Sequence, residues 1–183
     1  MTVPIRTDRL DLISMTPAFL RASIDGDLVE AEREIQLSLS GAWPDIRPVL
    51  ELRLKQLESD ATLQPWLLRA IALRSERKMI GHIGFHNSPG ADYLRDWSPG
   101  GVEYGCSIFP TYRRKGYARE ASLSLMRWAQ DLYGVASFVA TVSPSNVASH
   151  SLAAELGFVR VGSHVDDIDG IEDVLVRNVA RIA

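Results

Sequence analysis

The order of strand and helix signals predicts an α+β (mixed α/β) domain: a strand, a helical stretch, three strands, a helix, a strand, a helix and a closing pair of strands. Three observations carry that prediction. β-rich runs at 66–74, 79–86, 102–109 and 135–142 are separated by charged, Gly-rich or Pro-rich breaks. Residues 116–133 place Ala118, Ala121, Leu125, Ala129 and Leu132 at helical spacing. That helix crosses between the strands at 102 and 135, which implies a parallel pair there, because such crossovers need a dozen or more residues.

Each element has its own local reason. Leu10 and Leu12, with Ile13, suggest a short first strand. Thr16-Pro17 is a helix start, with Thr16 as N-cap and Pro17 in the first turn. Two helical patches follow between 17 and 39, parted near Asp25-Gly26-Asp27, and Trp43-Pro44 marks a break. Pro48 opens a helix to about Ser59. The turn Ser75-Glu76-Arg77-Lys78 joins two strands, and a Pro-, Gly- and Asp-rich loop fills 87–100. Pro110 ends the strand that begins at Val102. The second late helix spans 146–156 and closes on Gly157. Strands at 158–165 and 171–179 form a hairpin around the acidic turn 166–170.

The 183 residues, 46% hydrophobic, are predicted to make one domain over 1–183 with a real core. Net charge is −3, from 20 Lys and Arg against 23 Asp and Glu, which argues against nucleic acid as a direct partner. Cys106 is the single cysteine, so no disulfide forms within the chain and a cytoplasmic location is expected. The N-terminal residues have no apolar run of the signal-peptide kind, and no membrane span is expected.

Arg113-Arg114-Lys115-Gly116-Tyr117-Ala118 crowds three cations against a glycine where a helix begins. The first amides of a helix have no intrahelical acceptor, and the helix dipole favours an anion beside them. Gly116 permits close backbone approach, and the cations add charge-assisted contacts to phosphate oxygens. A solvated helix start with surface cations is the plainer reading of the same residues.

The stretch 108–118 resembles the pyrophosphate-binding signature of the GNAT superfamily of N-acetyltransferases: an apolar strand end, a Pro, an aromatic, then (Arg/Gln)-x-x-Gly-x-(Gly/Ala). Ser145-Asn146-Val147-Ala148-Ser149, followed by Leu156-Gly157-Phe158, is similar to that family's downstream block, at fitting spacing. The opening Arg6-Thr7-Asp8-Arg9-Leu10-Asp11-Leu12 resembles that of the RimJ/RimL-like branch. The specific likeness covers 103–158.

This resemblance implies a mostly antiparallel twisted sheet of about seven strands, with a parallel pair split at the cofactor site and helices on both faces. It implies acetyl-CoA as cosubstrate. The backbone of Cys106, Ser107 and Ile108 would pair with the pantetheine arm, and Arg113, Arg114, Lys115, Gly116, Tyr117, Ala118 and Arg119 would hold the pyrophosphate. Asn146 would bond the pantetheine or the nearby backbone. A backbone amide near Ile108 could meet the developing oxyanion.

Acyl transfer to an amine gains much from holding the reactants together. Glu103 is the candidate base, acting directly or through a water; a water or an Asp within 166–169 stays open as the alternative. Many relatives carry a tyrosine acid seven residues after the Asn, where this chain has Ala153. Ser149 matches the serine of the RimL-like branch and is placed against the CoA sulfur. Thr141 stands where some relatives carry a glutamate base, so that role does not transfer.

No metal is expected. His82 and His86 on one strand would lie about 13 Å apart at ~3.3 Å per residue, and His150 and His164 lack ligand-spaced partners. His82 or His86 could also line the acceptor cleft. The acidic residues Asp166, Asp167, Asp169, Glu172 and Asp173 would attract a cationic amine if they faced that cleft.

The leading expectation is an N-acetyltransferase acting by direct attack in a ternary complex, monomeric or homodimeric. Its acceptor would be a peptide N-terminus. A small amine such as an antibiotic or polyamine is the alternative acceptor, and an inactive CoA-binding sensor is the alternative function.

Overall fold

A computed structural model describes residues 3–39, 46–166 and 170–180. The Trp43-Pro44 break, Asp167, Ile168 and Asp169 fall outside the described residues. The secondary structure is mixed α/β with mostly antiparallel strand pairing.

Two compact units are present, one comprising Met1–Gly84 with Cys106–Ser124, the other Phe85–Gly105 with Leu125–Ala183. In the first, β1 (Ile5–Arg6), β2 (Leu10–Ser14), β4 (Arg69–Leu73) and β5 (Lys78–Phe85) follow one another antiparallel. The two-residue β3 (Ser38–Leu39) pairs parallel with β5. At two residues each, β1 and β3 are too short to leave a period in the sequence. The strand expected from 66 begins later, because the amides of Trp66 and Leu67 bond back to the Leu63 carbonyl at 2.9 and 3.1 Å.

Helix α1 (Pro17–Asp25) starts as predicted: the Thr16 side chain accepts from the Phe19 amide, and Pro17 occupies the first turn. Gly26, at φ 77, ends α1, and Asp27 then caps α2 (Leu28–Ile35) through the Glu30 amide. These helices and α3 (Arg47–Ser59) share a core that includes Phe19, Leu20, Ala31, Leu50, Leu57, Ala70, Met79 and Phe109. Each large aliphatic or aromatic side chain fully buried there contributes about 1.5–3 kcal/mol.

The second unit contains the start of β6 (Val102–Ile108), then β7 (Ser137–Val142), β9 (Gly170–Asn178) and β8 (Val159–Asp166). The β6–β7 ladder is parallel, as the crossover demands, and registers Val102 with Phe138 and Glu103 with Val139. The crossover is α4 (Tyr117–Tyr133). Leu94, Val139, Val174 and Val176 form a small core against Trp97. Trp97 reaches Gly162 closely enough that a Cβ there would lie 2.4 Å from its ring, so a larger residue at that point of β8 would displace the indole. The last helix, α5 (Val147–Glu155), is capped by Asn146, whose side chain accepts from the Ser149 amide.

Candidate active site

The turn between β6 and α4 is open. Residues 113–116 are exposed. The backbone bonds of the segment run from the Arg113 amide to Pro110 O at 3.3 Å and from the Glu120 amide to Gly116 O at 3.1 Å. Between them, the amides of residues 114–118 find no acceptor among the described residues. Arg114 at φ 61 and Gly116 at φ 79 both adopt left-handed backbone. Glycine takes that conformation without strain, while Arg114 holds it at some cost.

The cations divide by what already holds them. The Arg113 Nε donates to Ile108 O at 2.8 Å, so this side chain is folded back onto the end of β6. Lys115 Nζ lies 5.4 Å over the Tyr112 ring, whose hydroxyl donates to Glu76 at 3.0 Å. Arg114 and Arg119 are exposed.

A further cation comes from the N-terminal segment, and motif reading of 113–119 alone misses it. The Arg9 Nε donates to Glu120 Oε2 at 2.7 Å and its Nη1 to Lys115 O at 3.0 Å, with the guanidinium 4.5 Å over the Tyr117 ring. A Cβ on Gly116 would come within 3.4 Å of Arg9 Nη2. The opening 6–12 holds the only sequence signal for this residue, and the contact spans 111 positions. Burial alone would raise the Glu120 carboxyl, but bonds from Thr7 and Arg9 outweigh it and hold the group below its ordinary value.

On β6, Glu103 is buried at 7% exposure, and its ionisable partner is His86. His86 Nδ1 lies 3.2 Å from Glu103 Oε2, Thr141 Oγ1 donates to Oε1 at 2.6 Å, and the Tyr93 hydroxyl bonds the same carboxylate. Burial works to raise this carboxyl, yet the hydrogen bond and charge of His86, with Thr141 and Tyr93, bring it down to about 2. Backbone fixes the pair as well, since the His86 amide donates to Glu103 O at 2.9 Å.

Burial pushes the Cys106 thiol up to about 12, with the Ser122 hydroxyl acting the other way, which leaves it a poor nucleophile. Ser107 is half-buried and Ile108 buried. In α5, Asn146 is exposed and spends its carbonyl on the helix cap, leaving its NH2 to donate. Ser149 is half-buried, and its hydroxyl has no acceptor among the described residues, whereas the Ser151 hydroxyl donates to Val147 O at 2.8 Å. Ala153 is buried at 4%.

His82 on β5 is half-buried with its Nε2 enclosed, and burial lowers its imidazole to about 4. Among the described residues, no cluster of three metal-ligating side chains occurs and no helix is long and apolar enough to cross a membrane. A cavity of about 930 Å³ in the first unit, lined by Arg6, Asp11, Phe19 and Glu34 among others, contains none of the residues selected above.

The profile of the family described as acetyltransferase (GNAT) domain matches residues 17–159. The uncharacterized N-acetyltransferase YjdG of Bacillus subtilis is 25% identical over 162 residues, covering 86% of this chain and 90% of YjdG. Among solved structures, the ribosomal-protein-S5-alanine acetyltransferase of Vibrio fischeri superposes with a TM-score of 0.63 at 17% identity, covering 97% of each chain. RimL, the ribosomal L7/L12 alpha-N-protein acetyltransferase in complex with coenzyme A, superposes with a TM-score of 0.65 at 15% identity, covering 97% of this chain and 98% of RimL. The chain belongs to the GNAT family of acetyltransferases, with the fold of its RimL and ribosomal-protein acetyltransferase neighbours.

Proposed function

We propose that this single-domain chain acts in the cytoplasm and transfers an acetyl group from acetyl-CoA to a primary amine by direct attack in a ternary complex. The carrying observation is the row of amides at 114–118 that find no acceptor among the described residues, beside Arg9, Arg114 and Lys115, a site suited to a diphosphate. Acetyl-CoA, when bound, supplies the activated thioester. Residues 113–119 hold its diphosphate, the backbone of Cys106, Ser107 and Ile108 pairs with the pantetheine arm, and the Asn146 NH2 donates to that arm. The Ser149 hydroxyl donates a hydrogen bond to the departing sulfur, which steadies the charge that develops there. The high-lying Cys106 thiol favours direct attack over an acyl-enzyme.

The acceptor in this reading is a protein N-terminal amine, the class named for RimL and for the Vibrio fischeri enzyme. Calorimetric titration with acetyl-CoA tests the cosubstrate, and a mass-spectrometric screen of N-terminal peptides, polyamines and aminoglycosides tests the acceptor. Heat with acetyl-CoA and acetylated peptides are expected. No heat with acetyl-CoA beside clear binding of NADH or ATP overturns the proposal. Turnover with any amine eliminates the CoA-sensor alternative.

A further inference from the structure

We infer that His86 accepts the proton of the attacking amine and that Glu103 is the positioning residue that holds it. The inference rests on the acetyl-transfer reading above and names the base within it. Geometry separates the two partners. The Glu103 side chain is 8% exposed, and His86, Thr141 and Tyr93 all bond its carboxylate. His86 is 36% exposed, so the imidazole is the member of the pair that a substrate can reach. Donation from Nδ1 to Glu103 fixes the tautomer that carries its lone pair on Nε2.

The place of Nε2 is also defined. A Cβ on Gly105 would lie 3.1 Å from it, so the ring's far nitrogen lies over that glycine, one residue before Cys106 and the segment assigned to the pantetheine arm. A larger residue at 105 would push the imidazole off this position.

Chemistry selects the same atom. A carboxylate held at about 2 binds a proton too weakly to take one efficiently from an amine, whereas imidazole as a class works near neutral pH. In the step itself, the acceptor nitrogen bonds to the acetyl carbonyl carbon. The C–S bond then breaks, with its electron pair leaving on sulfur, and the nitrogen's proton passes to Nε2. Glu103 on β6 stabilises the resulting imidazolium, and its own charge is steadied by Thr141 on β7 and by Tyr93 in the 3-10 turn Asp92–Leu94.

The test begins with the wild-type chain, acetyl-CoA and the amine panel. His86→Gln is expected to lower kcat/KM by about 10²-fold or more, with acetyl-CoA affinity by calorimetry unchanged. Added imidazole should restore part of the rate to His86→Ala. Glu103→Gln should keep measurable activity and lower kcat while the KM for acetyl-CoA stays unchanged, because the imidazole then lacks the carboxylate that holds its orientation. Independently of turnover, 15N spectra of the neutral His86 ring should show Nδ1 protonated. The inference is overturned by an Nε2-protonated ring, by His86→Gln activity within about threefold of wild type, or by a Glu103→Gln variant that is inactive at every pH. A wild-type chain that binds acetyl-CoA but acetylates nothing sinks this inference together with catalysis. Failure to bind acetyl-CoA instead removes the reading beneath both.

Discussion

The Glu120 carboxylate, in the first turn of α4, holds the Arg9 guanidinium at 2.7 Å and places it beside the exposed amides of the β6–α4 turn. This ion pair is partly exposed, at 46% and 18%, so its own contribution to stability is about 0–1 kcal/mol. Its consequence lies in ligand binding. Arg9→Met is expected to weaken acetyl-CoA binding about tenfold, the effect of one charge-assisted contact, and to flatten the salt dependence of affinity, with kcat unchanged. Calorimetry at two salt concentrations measures both. An unchanged affinity would mean that Arg9 only braces the turn.

Gly116→Val should act on the same turn from within. At φ 79 a β-branched residue is strained by about 1–2 kcal/mol, and its side chain would enter the space between the amides and Arg9 Nη2. A large rise in the KM for acetyl-CoA is expected, with the fold retained in circular dichroism. Gly116→Ala should give a smaller rise. Near-normal kinetics in the valine variant would refute the diphosphate assignment.

Much of this architecture could be read from residue order because its signals are local. Thr16-Pro17 predicts a cap and a first-turn proline, Asp25-Gly26-Asp27 a helix end followed by a helix start, and 113–118 an exposed turn into a helix. Contacts between distant segments left no such mark. Arg9 meets Glu120 across 111 positions, and Thr141 meets Glu103 across 38. The sequence marks Glu103 as a titratable group on a strand, but only burial and three bonding partners identify it as a tightly held anion. The same contacts give Thr141, set aside as a lost glutamate, a role as a donor to that anion.

Ser149 allows binding and chemistry to be separated. Its amide is fixed by Asn146 Oδ1 at 3.1 Å, while its hydroxyl makes no bond to the described protein. Ser149→Ala is therefore expected to leave stability within about 0.5 kcal/mol. It should lower kcat about tenfold while acetyl-CoA affinity stays within about twofold. Asn146→Ala should behave differently, losing about 1 kcal/mol of helix-cap stability as well as affinity. Equal losses of kcat and affinity in Ser149→Ala would assign the hydroxyl to binding alone.

His82 predicts a measurable acid sensitivity of the fold. Its Nε2 is buried without a hydrogen-bond partner among the described residues, and burial lowers the imidazole from 6.5 to about 4. Between those values the unfolded chain binds the proton and the folded chain does not, so stability falls as pH drops through that window. The full effect is about 3 kcal/mol below pH 4 and absent above 6.5. Replacing the ring by a leucine, His82→Leu, removes the titration and the unsatisfied nitrogen together. Urea unfolding at pH 7 and pH 4.5 should show the wild type losing more stability than the variant over that interval. Equal losses would mean that His82 is protonated within the folded protein.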